Sequence, residues 1–129
     1  MRTQDSFSTE RNPTGTAKVR FGLSFGAAGA VTLAYGFGLN DSAPPVLSAS
    51  PGQYTITIDK PVFRLIGFTW TWKRATGAAI LQADLLTDNS ASTGVLIFET
   101  KIAAGTLTNP ANGDAAFVSL FIDETGLVK

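Results

Sequence analysis

The feature that most constrains the fold is a two-residue alternation of apolar and polar side chains that recurs along the chain. Residues 17–25 show it clearly, since Val19, Phe21 and Leu23 alternate with charged or small residues, and residues 54–59 repeat the pattern. Successive side chains of a β-strand point to opposite faces, so each such segment predicts a strand with one buried face. No segment matches the 3.6-residue repeat of a helix as closely as it matches this alternation. The alternation therefore predicts an all-β protein.

Seven segments qualify as strands, and turn or loop residues separate each from the next. They are residues 17–25, 31–35, 54–59, 62–74, 80–85, 95–100 and 115–123. A length of 129 residues fits one domain. We therefore predict a single antiparallel β-sandwich over residues 17–129, preceded by an extended N-terminal arm over residues 1–16. A jelly roll and an immunoglobulin-like sandwich are both compatible with this pattern, although the chain has no cysteine to form the immunoglobulin disulfide.

The longest connection is predicted over residues 40–52, which contain Pro44, Pro45 and Pro51. Proline has no backbone N–H and a fixed φ, so we expect no regular ladder in this segment. It is interpreted as a crossover between two sheets or as a loop that contacts a partner. Residues 87–94 and 109–114 are predicted turns because both are rich in Asn, Asp and Gly or Pro.

An aromatic stripe lies on the fourth predicted strand. Alternation places Ile66, Phe68, Trp70 and Trp72 on one face, and the other face carries Leu65 and Gly67 among others. Such a stripe is typical of a sandwich core, but it also fits a protein interface or a sugar-binding surface. The last predicted strand, residues 115–123, is apolar on both faces apart from Ser119, which predicts a strand deep in the sandwich.

The composition excludes most catalytic chemistry. The chain contains no His and no Cys, so a Ser-His-Asp triad, a Cys-His dyad and the usual zinc sites are impossible. A glycosidase would need only two carboxylates, but the acidic residues fall in turns or at strand ends. Calcium binding through Asp88, Asn89 and Asp114 is a lesser possibility. We predict that the protein is not an enzyme and assign it no catalytic, cofactor-binding or metal-binding residue.

The charge pattern indicates which kinds of partner the protein binds. The net charge is +0 and no basic stripe is present, which argues against nucleic-acid binding. No segment resembles a signal peptide or a membrane-spanning helix. Charged residues make up only 16% of the chain, which suggests that a partner covers part of the surface. The predicted partner-binding residues are Arg2, Phe7 and Arg11 of the arm, Pro44 and Pro45 of the long loop, and Trp70 and Trp72 of the stripe.

Two segments carry a family resemblance. Residues 50–59 (SPGQYTITID) lead from a tight turn into a strand, and residues 109–114 (NPANGD) lead into the apolar residues 118–122. Together these segments resemble the capsid decoration, or cement, proteins of tailed bacteriophages, and the resemblance extends over about residues 50–125. It implies a β-sandwich that forms a homotrimer on the capsid surface of the virion and bridges subunits of the major capsid protein after synthesis in the host cytoplasm. It implies no cofactor and no catalytic residue.

Two alternative functions remain open from the sequence. One is another phage virion part, such as a tail, fibre-base or head–tail connector module. The other is a carbohydrate-binding module that uses Trp70 and Trp72, which would require the two indole rings to be exposed and coplanar.

Overall fold

The structure is a computed structural model that describes residues 16–49, 51–60, 62, 64–75, 81–102 and 105–123. These residues form two antiparallel four-stranded sheets, which confirms the predicted all-β sandwich. The strands are β1 (Thr16–Phe25), β2 (Val31–Phe37), β3 (Val46–Ala49), β4 (Gln53–Thr57), β5 (Arg64–Lys73), β6 (Leu81–Asn89), β7 (Val95–Ile102) and β8 (Ala115–Asp123).

The first sheet has the strand order β2-β1-β8-β5, and the second has the order β3-β4-β7-β6. Three hairpins, β1–β2, β3–β4 and β6–β7, each stay within one sheet, whereas the other connections cross between sheets. In the immunoglobulin constant domain the first strand lies at the edge of its sheet, but here β1 is central, so the order is a different one. Strand β5 forms one edge of the first sheet.

The core lies between the sheets, where inward-facing side chains of both sheets interlock. Aromatic rings join the layers, with Phe25 of β1 edge-on to Tyr54 of β4 at 5.3 Å and Phe68 of β5 edge-on to Phe98 of β7 at 5.0 Å. Edge-to-face contacts of this kind are favoured beyond the area that they bury. The buried apolar residues of this core are Val19, Phe21, Leu23, Phe25, Leu39, Tyr54, Ile56, Ile58, Val62, Leu96, Phe98, Ala116, Val118, Leu120 and Ile122.

Strand β3 lies inside the segment that was predicted to be a loop without a ladder, so that prediction is wrong. Val46 and Leu47 pair with β4, between the prolines at 44–45 and 51. The prolines flank the strand and remove no N–H from it. Because β3 is an edge strand, it needs a partner on one side only, and four residues suffice for that.

Strands β2, β5 and β6 each contain an extra residue that shifts their register. In β2, Ala34 is the extra residue, since Leu33 and Tyr35 pair with the adjacent residues Leu23 and Gly22. In β5 and β6 the extra residues are Ile66 and Leu86. A β-bulge of this kind breaks strict alternation.

Two predicted face assignments are wrong because of these bulges. Tyr35 does not share the inward face of Leu33, and Leu65 packs against the core in place of Ile66, which is exposed. The bulged strand β6 continues to Asn89, so it includes the first three residues of the predicted turn over residues 87–94.

A buried carboxylate fixes one end of the sandwich. Asp114 accepts hydrogen bonds from the backbone N–H of Ala75 at 2.7 Å, from that of Ala111 at 2.8 Å, and from Nε of Arg74 at 3.0 Å. Its side chain is fully buried. Burial by itself raises the pKa of this carboxyl, but the three donors outweigh that effect and leave the pKa below its ordinary value. The contacts fix the end of β5 next to the start of β8.

Candidate interaction surface

The outer face of the first sheet carries four aromatic side chains, Tyr35, Phe37, Phe117 and Phe121, which we call the aromatic face. The strand register brings them together. Gly22 of β1 is paired with Tyr35 on one side and with Phe117 on the other. Phe117 and Phe121 alternate with core residues of β8, so they point away from the core. Tyr35 and Phe37 pair with the outward positions Gly22 and Arg20 of β1, because the bulge at Ala34 reverses the alternation of β2.

The exposure of this face is its unusual property. Six large hydrophobic residues are strongly exposed in the part of the chain that the structure describes, and four of them belong to this face or adjoin it. Tyr35 is 43% exposed, Phe37 70% and Phe117 44%, and the bulge residue Ile66 is 55% exposed beside them. The open side of an antiparallel sheet is normally polar, so clustered exposed rings mark an interaction site.

A glycine keeps the centre of the aromatic face flat. Gly22 is buried although it lies on the outer side of β1, because the ring of Tyr35 covers it. A Cβ atom at this position would collide with the ring carbons of Tyr35. The Tyr35 ring also lies 6.3 Å from that of Phe37, with 53° between their planes. The absence of a side chain on β1 therefore lets a ring of β2 lie across the sheet.

Polar and cationic groups surround the rings. Nζ of Lys18 stands 5.5 Å from the centre of the Phe121 ring, a cation–π distance. Arg64 of β5 lies 3.5 Å from the carboxylate of Asp123 at the end of the sheet. Thr69 and Thr71 occupy outward positions of β5. An apolar centre with a polar border is the usual anatomy of a protein–protein interface.

The outer face of the second sheet has a different character. Lys101 lies 3.3 Å from Asp84 and 3.4 Å from Glu99, and Gln53 donates a hydrogen bond to Glu99. The hydrogen bond to Asp84 is the largest cause of a raised pKa at Lys101. Two large apolar side chains are strongly exposed there, Val46 at 51% and Leu86 at 49%. This face therefore combines an ion-paired network with isolated aliphatic residues.

Trp70 and Trp72 face the core rather than the solvent. Trp70 packs 5.3 Å from Phe98, and Trp72 packs 5.7 Å from Phe25. Both residues are partly buried, and 56° separates their ring planes. The two indoles thus lack the exposed, coplanar arrangement that the sugar-binding interpretation requires. Their Nε1 atoms are buried and have no hydrogen-bond partner among the described residues.

The other predicted partner-binding residues fall in different places. Pro44 is exposed and Pro45 is buried, and both precede β3 in the chain. Arg2, Phe7 and Arg11 lie outside the described residues. Of the four predicted residues that the structure describes, none belongs to the aromatic face.

Sequence reasoning missed all four residues of the aromatic face. The available signal was the last strand, which is apolar on both faces. It was predicted to lie deep in the sandwich, and β8 is indeed a central strand of the first sheet. A central strand of a two-layer sandwich packs on one face only, so β8 buries one side in the core and leaves Phe117 on the other side exposed.

Several acidic residues of the described segments take part in structural contacts. Asp88 accepts hydrogen bonds from the backbone and side chain of Ser90, as Asp114 does from its own three donors. A cleft of about 340 Å³ opens at one end of the sandwich, and Asp59 is the one carboxylate among its described lining residues. No group of three or more acidic side chains close enough to share a metal ion occurs in the described ranges.

Two further findings bear on identity. In the described part of the chain, no helix is long and apolar enough to cross a membrane. Comparison of the chain with protein-family models, with curated proteins and with solved structures gives no match.

Proposed function

We propose that this protein is a structural virion protein that binds the outer surface of a phage capsid and stabilises it by bridging subunits of the major capsid protein. It performs no catalysis, and it acts as a homotrimer. The observation that carries the binding role is the aromatic face. The virion setting rests on the resemblance of residues 50–125 to capsid decoration proteins.

The aromatic face has the chemistry of a protein-binding surface. Aromatic side chains are enriched in interface cores, because they bury a large area and have few rotatable bonds to immobilise. Here Tyr35 and Phe37 are held on one strand, and Phe117 is held on the central strand β8. A rigid sheet presents them with little further loss of conformational entropy on binding. These properties favour a permanent contact with a protein surface.

Attachment to a capsid needs only modest affinity from each copy. A trimer presents three aromatic faces, and once one is bound, the other two experience a high effective concentration of capsid sites. Three individually weak contacts therefore attach the trimer firmly to the capsid. A trimer that bridges neighbouring capsid subunits also stabilises the shell. A ligand that binds only the assembled capsid shifts the equilibrium between free and assembled subunits towards the assembled state.

The first experiment measures the mass of the purified protein in solution by light scattering. We expect about three times the chain mass of 13.5 kDa. A monomer at all concentrations would overturn the proposed homotrimer. Quantitative mass spectrometry of purified phage particles then tests the virion role. We expect a copy number in fixed ratio to the capsid subunit, and absence from the particles would refute it.

A matched pair of double variants tests the aromatic face. Phe37→Ser with Phe117→Ser removes its two most exposed rings, and Val46→Ser with Leu86→Ser removes exposed apolar residues from the second sheet. We expect the first pair to abolish co-sedimentation with undecorated capsids at an unchanged solution mass, and the second pair to bind normally. Equal binding by both variants, or a monomeric first variant, would contradict the assignment of this face to the capsid.

A further inference from the structure

The turn before β8 contains a chemically reactive pair of residues, Asn112 and Gly113. Among the five asparagines of the chain, Asn112 is the one that a glycine follows. The backbone nitrogen after an asparagine can attack the side-chain amide, and glycine hinders this attack least because it has no side chain. The side chain of Asn112 is exposed, so water and base reach it. The turn therefore contains the groups that react in a spontaneous deamidation.

The fold requires glycine at position 113. Its φ is +96°, in the left-handed region that residues with a side chain rarely adopt. A Cβ atom at this position would also lie 3.1 Å from the Cβ atom of Ala75, which is a tight contact. The reactive pair is thus a consequence of the turn geometry, because another residue in place of Gly113 would strain the turn.

Hydrogen bonds hold the chain on both sides of the pair. The backbone N–H of Gly113 donates to the carbonyl oxygen of Phe25 at 2.8 Å, and the N–H of Phe25 donates to the carbonyl oxygen of Asp114 at 2.9 Å. Within the turn, the N–H of Asp114 donates to the carbonyl oxygen of Ala111 at 3.0 Å. The N–H of Ala111 donates in return to the buried Asp114 carboxylate at 2.8 Å. The residues that flank the pair are therefore bound to each other and to the end of β1.

We propose that Asn112 is a site of spontaneous deamidation that the folded turn suppresses and that becomes reactive when the Asp114 contacts open. In the first step the nitrogen of Gly113 loses its proton and bonds to Cγ of Asn112, the bond from Cγ to Nδ2 breaks, and ammonia leaves. Water then opens the resulting succinimide ring and gives aspartate or isoaspartate. While the N–H of Gly113 donates to Phe25, the hydrogen bond favours the protonated nitrogen and holds it against β1, so the first step is slow.

The product disturbs the same corner of the sandwich. Isoaspartate adds a methylene group to the main chain between Ala111 and Gly113, so the hydrogen bonds on the two sides of the turn no longer match in position. A polar backbone group that loses its partner raises the free energy of the folded state. The new carboxylate also lies two residues from the buried carboxylate of Asp114, and the two charges repel each other. Modification therefore converts a transient opening of this corner into a lasting one.

Mass spectrometry with peptide mapping measures the reaction on the full chain during incubation in mildly alkaline buffer. We expect Asn112 to react at least about tenfold more slowly in the folded protein than in guanidinium chloride, because the reaction requires local opening. Asn112→Gln assigns the signal, since attack on the longer side chain requires a larger ring, and the modified peptide should be absent. Equal rates in the folded and the unfolded protein would overturn the proposal.

A matched pair of variants tests the role of the Asp114 contacts. Asp114→Ala removes the acceptor of three hydrogen bonds at the turn. Ile58→Ala empties a buried site at the opposite end of the sandwich, beside the start of β1. We expect the first variant to accelerate the reaction of Asn112 by about tenfold or more and the second by about twofold at most, because only the first promotes local opening of the turn. Equal acceleration in both variants would refute this role of Asp114.

Arg74→Gln supplies the test if Asp114→Ala does not fold, because it keeps the carboxylate and the two backbone donors to it. Its rate should exceed that of the parent protein, and a rate equal to that of the parent would then count against the proposal. A melting curve run on each variant confirms that the sandwich is folded during incubation. The inference does not depend on the proposed virion role, because its readouts need no capsid.

Discussion

The ring of Tyr35 in β2 lies directly over Gly22 in β1, where any side chain would collide with it. Among the outward positions of β1 from residue 18 to residue 24, Gly22 is buried and the others are exposed. The contact between one residue without a side chain and one large ring therefore shapes the centre of the aromatic face.

Gly22→Ala tests that contact. The added Cβ must push the Tyr35 ring away from the sheet, so we expect the contacts between Tyr35 and residue 22 in NMR spectra to disappear and capsid binding to weaken several-fold. Stability should stay within about 1 kcal/mol, because Ala is favoured over Gly in a strand and the ring can move into solvent. The matched control is Gly67→Ala on the outer side of β5, where a Cβ meets open space. Equal losses of binding in both variants would contradict the proposed role of the ring.

Asp114→Asn should destabilise the fold by about 2–4 kcal/mol, since the amide cannot accept all three hydrogen bonds and leaves Arg74 without its buried partner. The folded-state pKa of Asp114 lies below its ordinary value of 3.8. Its contribution is therefore complete above that value and is lost as the pH falls through the lower folded-state pKa. We expect urea unfolding between pH 2 and 7 to show a smaller acid-induced loss in the variant. An identical pH profile would refute this role of Asp114.

Tyr54→Phe tests how the stability of the fold depends on pH in the alkaline range. The Tyr54 hydroxyl donates to the carbonyl oxygen of Gly29 at 2.7 Å, and burial raises its pKa well above the ordinary value of 10.0. A raised folded-state pKa means that its stabilisation is present below pH 10 and is lost as the pH rises beyond it. We expect the variant to lose about 1–2 kcal/mol at pH 7 and to show a flatter decline above pH 10. A decline as steep as that of the parent would count against Tyr54 as the cause.

Trp70→Ala should lower the free energy of unfolding by about 2–4 kcal/mol, because it empties a partly buried site against Phe98. Val46→Ala removes an exposed residue and should change stability by less than about 0.5 kcal/mol. Chemical denaturation compares the two. A similar small effect in both variants would show that the Trp70 ring contributes little to the core.

The sequence predicted the strands better than it predicted their faces. Alternation located β1 and β4 within a residue or two, because each is a regular strand with one apolar side, and the continuous apolar run over residues 115–123 located β8. The short β3 escaped notice because four residues between prolines give no periodic signal, and its pairing with β4 is tertiary. Strand order also depends on tertiary contacts, so local patterns contain no information about it.

The candidate site was hidden by the same alternation. A period of two assigns Tyr35 to the side of Leu33, and only the extra residue Ala34 moves it outward. No local signal in the sequence marks that bulge. Trp70 and Trp72 attracted attention because tryptophan is common in interfaces, yet their ring contacts belong to the core. The apolar outer side of β8 was visible, but only the two-layer packing shows that the core leaves it uncovered.

The bulges also determine how this scaffold can change by insertion and deletion. An added residue in a regular strand reverses the direction of every side chain after it, whereas a bulge confines the disturbance to one position. Ile66 is such an addition, and Phe68, Trp70 and Trp72 beyond it remain packed against the core. Leu86 is likewise the extra residue of β6 in the second sheet. The outer surfaces can therefore gain or lose an exposed apolar group by a one-residue change in length, while the interior keeps its register.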